Sequence, residues 1–283
     1  MKQERVLGAL YGQALGDAMG MPSELWPRTR VKAHFGWIDS FLPGPAENNA
    51  ACYFNQAEFT DDTSMALCLA DALLECDGEI VPDVIGRNIL AWAERFDAFN
   101  KNVLGPTSKI ALKAIRDGKP VAELENNGVT NGAAMRVSPL GCLLPARDLD
   151  AFIDDVALAS SPTHKSDLAI AGAVVVAWAV SRAIDGGTWS EIVDALPAIA
   201  LHAQQTALRV VHQQFVVVGQ GQVFVEEMRR QVPLPLLQRQ IQGAADIVDI
   251  VTDDVTLAID GQRRALAIQF VLEQFALAGL RLL

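Results

Sequence analysis

The chain contains 283 residues, of which 51% are hydrophobic and 20% are charged, and its formal net charge is −11. That many apolar residues can build a sizeable core, which excludes wholesale disorder. The acidic balance argues against DNA or RNA as a partner, because proteins that neutralise phosphates are usually basic.

The beginning of the chain and its cysteines indicate a cytoplasmic protein. The first residues mix charges and glycines with apolar side chains, so they do not form the apolar core of a secretory signal. The longest apolar run, residues 168–180, has 13 members. A membrane span needs roughly 20 residues, so this run is more typical of a buried helix. The four cysteines form no C-x-x-C pair and suit reduced thiols. We therefore expect a cytoplasmic protein without a membrane partner.

Apolar residues recur at helical spacing through most of the first 204 residues, and no alternation of period two interrupts them. This periodicity predicts an all-α fold. The prolines and glycines of residues 22–57 predict a long irregular connection, and those of residues 128–145 predict a loop or a ragged helix. The predicted helices lie around residues 6–15, after residue 60, and near residues 83–96, 110–115, 149–159, 166–184 and 189–203.

Glycines occupy every fourth position of the first predicted helix, at Gly8, Gly12, Gly16 and Gly20. They form a stripe without side chains, which predicts the close approach of another helix.

Residue usage changes near residue 205. Residues 205–283 contain 12 glutamines in 79 positions, whereas the preceding 204 residues contain 4. The same tail has no Lys, Asn, Ser, Trp, Tyr or Cys. We divide the chain into a helical domain, 1–204, and a divergent Gln-rich tail, 205–283. The tail is either a Gln-rich helical subdomain or the product of a translational frameshift.

Two adjacent carboxylates, Asp61 and Asp62, stand between Thr60 and Thr63. Carboxylate and hydroxyl oxygens are hard ligands that suit Mg²⁺, Mn²⁺ or Ca²⁺. The same residues are also common at the start of a helix, where they cap backbone N–H groups and favour the positive end of the helix dipole. The spacing leaves both interpretations open.

Three other segments could contribute to a site. Glu24 follows a glycine-rich helix and a proline, so it could act as a base or orient water, or it could be a surface acid. Residues 128–136 combine small residues with Arg136, which suits either a phosphate or sugar cradle or a tight turn. His164 ends a Ser-Pro-Thr-His segment, where a lone histidine is more often structural.

Four motifs in this order resemble the ADP-ribosylglycohydrolases, relatives of dinitrogenase-reductase-activating glycohydrolase. They are G-A-L-Y-G-Q-A-L-G-D-A-M-G-x-P-x-E, F-T-D-D-T, T-N-G-A-A-M-R-V-S-P-L-G and S-x-T-H, within residues 1 to about 204. The resemblance implies a compact all-α domain with two Mg²⁺ (or Mn²⁺) ions. It also implies hydrolysis of the glycosidic bond of ADP-ribosylated proteins or small molecules.

The resemblance also implies roles for individual residues. It implies that Thr60, Asp61 and Asp62 are the amino-terminal metal ligands. It also implies that Glu24, Asp61 and Asp62 are the catalytic residues. Glu24 would orient water or gate the metal. As contacts to ADP-ribose or the substrate it implies Asn131, Gly132, Met135, Arg136 and His164, and by a looser match Thr107.

The family closes its metal site with a carboxy-terminal G-G-D-x-D-T, and this chain lacks that motif. The tail offers only adjacent carboxylates, Asp253 and Asp254, without the glycines. We therefore expect an incomplete metal site and impaired hydrolysis. The alternative is a non-catalytic ADP-ribose-binding relative or an inert truncated product.

Overall fold

The computed structural model describes the backbone of residues 2–217 and the side chains of residues 2–207. Within this part of the chain every regular element is helical and no strand occurs, which confirms the all-α prediction. The α-helices are α1 (Lys2–Gly20), α2 (Arg28–Phe35), α3 (Asp61–Glu75), α4 (Pro82–Arg95), α5 (Pro106–Arg116), α6 (Ser138–Leu143), α7 (Leu149–Ser160), α8 (Asp167–Asp185) and α9 (Trp189–Val217). Short 3-10 turns cover Met21–Ser23, Val121–Glu123 and Ala134–Arg136.

Helix α8 lies at the centre of the core. The hydroxyl of Ser166 accepts a hydrogen bond from the Ala169 N–H at its beginning, and Gly186 ends it in the left-handed conformation (φ +96°). The helix packs against α1, α6, α7 and α9. It is long and apolar enough to cross a membrane, but 67% of its most apolar window is buried inside the protein. Packing on four neighbouring helices therefore accounts for its apolar sequence.

Helices α3 and α4 form a second layer against this core. Met65, Leu69, Ile85 and Ile89 lie on their facing sides and are fully buried. The recurrence of apolar residues every three or four positions fixes which face of each helix turns inward. The beginning of α3 is thereby held at the edge of the core, where its first turn meets α1.

Helix α2 corrects the prediction of an irregular connection over residues 22–57. It buries none of its residues and therefore has no apolar stripe that a periodicity argument could detect. The rest of that connection is irregular, as expected. Residues 128–145 also agree with the prediction, because they contain only a 3-10 turn and the short helix α6.

Two glycines of the stripe on α1, Gly8 and Gly12, are not closely covered by another described helix. A Cβ atom added at Gly8 or Gly12 would meet no atom within 4 Å. Both glycines instead line a cavity of about 300 Å³ between α1, α8 and α9. At these two glycines the expected close approach is therefore wrong for the part of the chain that is described. The predicted boundary at residue 204 falls within α9, and the tail from residue 218 lies outside the described residues.

Candidate functional site

Asp17, near the end of α1, holds the beginning of α3. Its carboxylate accepts hydrogen bonds from the N–H of Thr60 (2.9 Å) and the N–H of Thr63 (3.0 Å). It also accepts bonds from the hydroxyls of Thr60 (2.8 Å) and Thr63 (2.7 Å). Asp17 is only 7% exposed. One buried carboxylate therefore satisfies two of the N–H groups that a helix leaves free at its beginning.

This arrangement bears on the capping interpretation of the Thr-Asp-Asp-Thr segment. Thr60 is the N-cap residue of α3, yet its side chain makes no capping hydrogen bond to the helix. The capping role falls to Asp17 from another helix. Asp61 and Asp62 lie in the first turn, half-buried, and the Asp62 carboxylate accepts a long bond from the Thr60 hydroxyl (3.4 Å). Local capping thus leaves most oxygens of these two carboxylates available.

Glu24 joins the same group of acids. Its backbone carbonyl accepts a hydrogen bond from the side-chain amide of Asn48 (2.8 Å), which is fully buried and also binds the carbonyl of Pro22 (3.4 Å). Asn48 fixes the turn after α1 and places the Glu24 carboxyl near those of Asp17 and Asp61. The structure therefore brings Glu24, Asp17, Asp61 and Asp62 together into one cluster, which we call the acidic cluster.

Burial and mutual repulsion shape the electrostatics of the acidic cluster. Burial, followed by the charges of Glu24 and Asp17, raises the pKa of Asp61 well above its usual value. Burial and then the charges of Asp61, Asp17 and Glu24 do the same to the pKa of Asp62. The pKa of Glu24 is raised by burial and by Asp17. None of the ion pairs among the described side chains involves these four acids. A cation placed here would relieve this repulsion.

The chemistry of these donors suits a hard divalent cation, but the set is partial. Thr60, Asp61 and Asp62 offer hydroxyl and carboxylate oxygens, which Mg²⁺ and Mn²⁺ prefer. Within the described residues, however, no three His, Cys, Asp or Glu side chains converge as a complete metal site. Mg²⁺ tolerates such a partial set because it commonly keeps several waters and takes only one or two carboxylates.

The loop of residues 128–136 is built around a buried arginine. Arg136 is completely buried, and its guanidinium donates hydrogen bonds to the Gly132 carbonyl (2.5 Å), the Thr163 hydroxyl (2.8 Å) and the Ser160 carbonyl (3.3 Å). Its Nε has no hydrogen-bond partner. Burial lowers the pKa of Arg136 to about 10. The guanidinium therefore faces the interior and supports the loop from behind, instead of extending toward a phosphate.

His164 lies beside the same loop and is also fully buried. One ring nitrogen is 2.8 Å from the Thr130 hydroxyl and the other is 2.8 Å from the Thr163 hydroxyl. Burial, together with the charge of Arg136, lowers the pKa of His164 to about 3, so the ring is neutral at physiological pH. Both nitrogens are engaged, and the ring acts as a fixed spacer between the two threonines.

Two glycines allow the loop to pack closely. A Cβ atom at Gly132 would lie 2.6 Å from the His164 ring and 3.2 Å from the Ser108 hydroxyl. A Cβ atom at Gly128 would lie 2.0 Å from the Thr107 hydroxyl. Thr107, at the beginning of α5, therefore lies directly against the loop.

Gln13 connects the loop to the acidic cluster. Its amide nitrogen donates to the carbonyls of Met135 (2.8 Å) and Asp62 (3.3 Å), while its buried oxygen has no hydrogen-bond partner. Gln13, Asp17, Asp62 and Met135 all line the cavity of about 300 Å³ described above. The two parts of the predicted site thus adjoin one space.

The structure sorts the predicted residues into two groups. Thr60, Asp61, Asp62 and Glu24 belong to the acidic cluster. The second group is the loop and its supports, with Asn131 half-buried and Met135 and Arg136 buried. Its remaining members are Thr107, Gly132 and His164. Asp253 and Asp254 lie outside the described residues.

Sequence reasoning assigned no role to several residues that hold the site together. Lys165 donates to the carbonyls of Val121, Ala122 and Leu124 (2.8–3.2 Å), and the Asn126 side chain donates to the carbonyls of Ser161 and Pro162. These bonds clamp the segment before the loop. The other overlooked residues are Gln13, Asp17 and Asn48. Only Asp17 carried a signal, as an acid within the glycine-rich first motif, but its partner lies 43 positions away.

Comparison with known proteins places this geometry in a family. The family model described as ADP-ribosylglycohydrolase matches residues 1–280. The uncharacterized protein YegU of Escherichia coli K12 is 88% identical over 205 residues, which are 72% of this chain and 61% of that protein. The ADP-ribosylhydrolase ARH3 of Mus musculus is 28% identical over 192 residues, which are 66% of this chain and 51% of that protein.

A solved structure gives the same assignment. It is described as an ADP-ribosylglycohydrolase-related protein complex and is 30% identical to this chain, with a TM-score of 0.53. The match covers 70% of this chain and 61% of the other. The chain spans less than two thirds of the length of each of these three proteins. The match of the family model, which extends over nearly the whole sequence, confirms the resemblance that the four motifs indicate: the chain belongs to the ADP-ribosylglycohydrolase family.

Proposed function

We propose that the chain binds Mg²⁺ or Mn²⁺ at Thr60, Asp61 and Asp62, and that it holds an ADP-ribosyl group beside this metal. The reaction that fits these residues is hydrolysis of the glycosidic bond of an ADP-ribosylated protein or small molecule. Family membership supports the substrate class. The observation that carries the proposal is the acidic cluster, in which four carboxylates share one partly buried corner without a described cationic partner.

The acidic cluster offers distinct roles to its members. Asp17 positions Thr60 through two hydrogen bonds and fixes the direction in which α3 begins. A bound divalent ion would supply Lewis acidity and a template for the ribose hydroxyls. Because its pKa is raised, Glu24 can carry or accept a proton closer to neutral pH than an ordinary glutamate does. Glu24 is therefore the residue that we assign to orienting water and accepting its proton.

The loop supports the proposal as a place for the sugar and the pyrophosphate. Gly132 has no side chain, and His164, behind it, is neutral and fixed by two hydroxyls. Arg136 contributes by holding the Gly132 carbonyl from behind. A loop built in this way exposes backbone polar groups in a fixed arrangement, which suits recognition of an anion or a sugar.

We also propose that hydrolysis by this chain is weak. The chain lacks the D-x-D-T segment, and the described residues contain no complete set of metal-binding acids. A metal held by few protein oxygens stays more hydrated and is placed less precisely, whereas catalytic groups need placement to within about 0.5 Å. The same observations favour the second candidate, an ADP-ribose-binding relative without turnover.

A pair of proteins separates these candidates. We would compare this chain with a version whose residues after about 204 carry the family's D-x-D-T segment. Calorimetric titration with Mg²⁺ and with ADP-ribose measures binding, and hydrolysis of ADP-ribosyl-arginine and ADP-ribosyl-serine peptides measures turnover. We expect both proteins to bind ADP-ribose and the extended version to turn over faster. Equal metal affinity and equal turnover would contradict the proposed impairment, and no ADP-ribose binding by either protein would contradict the proposed function.

A further inference from the structure

A basic and apolar surface lies immediately beside Glu24, on and around α2. Helix α2 carries Arg28, Arg30, Lys32 and His34 and contains no acid. In a chain of net charge −11, a helix with three cations and no carboxylate is a local reversal of sign. All four of these side chains are exposed. Together with Leu25 and Trp37 they form what we call the α2 surface.

The apolar members of the α2 surface turn outward. Leu25 is 69% exposed and Trp37 is 73% exposed. Leu25 directly follows Glu24 and adopts a positive φ of 57°, which is costly for a branched side chain. Strained backbone that persists next to a site is a reason to look for a role, because the rest of the fold must compensate for it.

One cation of this surface, Arg30, is also ordered in advance. The Arg30 guanidinium lies over the Trp26 ring, 3.9 Å from its centroid, and His34 contacts the same ring edge-on at 5.1 Å. A stacked guanidinium loses less freedom when it pairs with a carboxylate, and it can do so through two parallel hydrogen bonds. Large apolar side chains beside such an arginine are typical of contacts at protein interfaces.

We propose that the α2 surface binds an acidic segment of the protein substrate, next to the ADP-ribosylated side chain. This inference rests on the proposed function, because it extends the binding region from the acidic cluster to the polypeptide that carries the ADP-ribose. Only three residues lie between Glu24 and Arg28, so the surface begins at the edge of the site. A short acidic peptide fits three cations on one eight-residue helix, whereas a nucleic acid needs a longer basic track and a less acidic protein.

Binding to two matched labelled peptides tests this inference. Both carry one ADP-ribosyl-arginine, and they differ only in that Glu and Asp beside it are replaced by Gln and Asn. At low salt we expect the full chain to bind the acidic peptide about tenfold more tightly, since three exposed ion pairs of modest strength combine. The triple variant R28Q/R30Q/K32Q should lose this preference and keep its affinity for free ADP-ribose.

The matched control is the triple variant K113Q/R116Q/K119Q, which removes the same charge from the exposed surface at and after α5. This control should keep the preference for the acidic peptide. An equal loss in the control would overturn the proposal, because net charge alone would then explain the preference. Equal affinity of the unaltered chain for the two peptides would also overturn it.

Two further arms separate the remaining outcomes. Versions of both peptides without ADP-ribose measure binding to the α2 surface alone. A chain that fails to bind ADP-ribose would therefore reject the proposed function, while the comparison of these unmodified peptides would still test the α2 surface. A preference for the unmodified acidic peptide that disappears in R28Q/R30Q/K32Q supports the proposal. The last arm is a single-stranded oligonucleotide of equal charge. If it binds more tightly than the acidic peptide, and if this binding disappears in R28Q/R30Q/K32Q, the proposal is overturned in favour of a nucleic acid.

Discussion

The carboxylate of Asp17 is the contact on which the geometry of the acidic cluster depends, and its removal should be costly. Asp17→Ala deletes four hydrogen bonds and leaves the N–H groups of Thr60 and Thr63 without their acceptor. Each buried donor that loses a charged acceptor costs about 1–3 kcal/mol. Removing one of four mutually repelling acids offsets about 1–2 kcal/mol of this loss. We expect a net decrease of about 3 kcal/mol in the free energy of unfolding.

Urea unfolding at neutral pH measures this difference, with an unchanged slope as the sign that only stability has altered. The matched control is Asp148→Ala, because Asp148 also caps a helix, α7, but does so at an exposed position through one bond to the Ala151 N–H (3.2 Å). Its loss should cost about 1 kcal/mol, as is usual for an N-cap. If Asp17→Ala costs no more than Asp148→Ala, Asp17 does not organise the beginning of α3 and our account of the site is wrong.

Three further predictions concern the loop and the acidic cluster. Gly132→Ala places a methyl group against the His164 ring, so it should lower the free energy of unfolding by about 1–3 kcal/mol and weaken ADP-ribose binding, whereas Gly105→Ala, which has open space around it, should do neither. Urea unfolding and calorimetry measure the two effects, and equal effects of the two variants would contradict the close packing. His164 has a pKa of about 3 when folded and 6.5 otherwise, so its contribution to stability is complete above pH 6.5 and falls by about 1.4 kcal/mol per pH unit between pH 6.5 and about pH 3. His164→Gln should flatten this slope of unfolding free energy against pH, and an unchanged slope would refute the assignment. Asp61→Asn should stabilise the metal-free chain, because the raised pKa of Asp61 shows that its ionised carboxylate is unfavourable, and it should abolish stabilisation by Mg²⁺. A thermal shift with Mg²⁺ equal to that of the unaltered chain would contradict this.

Sequence patterns predicted the helices that bury a regular stripe and missed the one that does not. Helix α4 packs Ile85 and Ile89 into the core, so its apolar periodicity located it to within a residue or two. Helix α2 buries nothing and follows a proline-rich segment, so its sequence resembles a loop. The contacts that Trp26 makes with His34 and Phe35 of this helix are not reported by periodicity.

For the candidate site, the sequence indicated the reactive residue types and not how they are held. Asp61, Asp62 and Glu24 could be named because carboxylates at those positions match a family motif. The role of Asp17 depends on a contact across 43 residues, which no local pattern contains. Arg136 was interpreted as a contact to ADP-ribose because a guanidinium can pair with a phosphate and because the residue matches a family motif, whereas here its buried guanidinium satisfies carbonyls inside the fold. Long-range hydrogen bonds of this kind are fixed by tertiary structure alone.

The location of a bound metal tests the central claim most directly. Crystals of the full chain soaked with Mn²⁺ would show the ion through its anomalous signal. We predict a peak within ligand distance of the Thr60 hydroxyl and the carboxylates of Asp61 and Asp62, since these hard oxygens lie where a cation relieves the repulsion of the acidic cluster. Mn²⁺ bound elsewhere, with these three residues bare, would contradict the account.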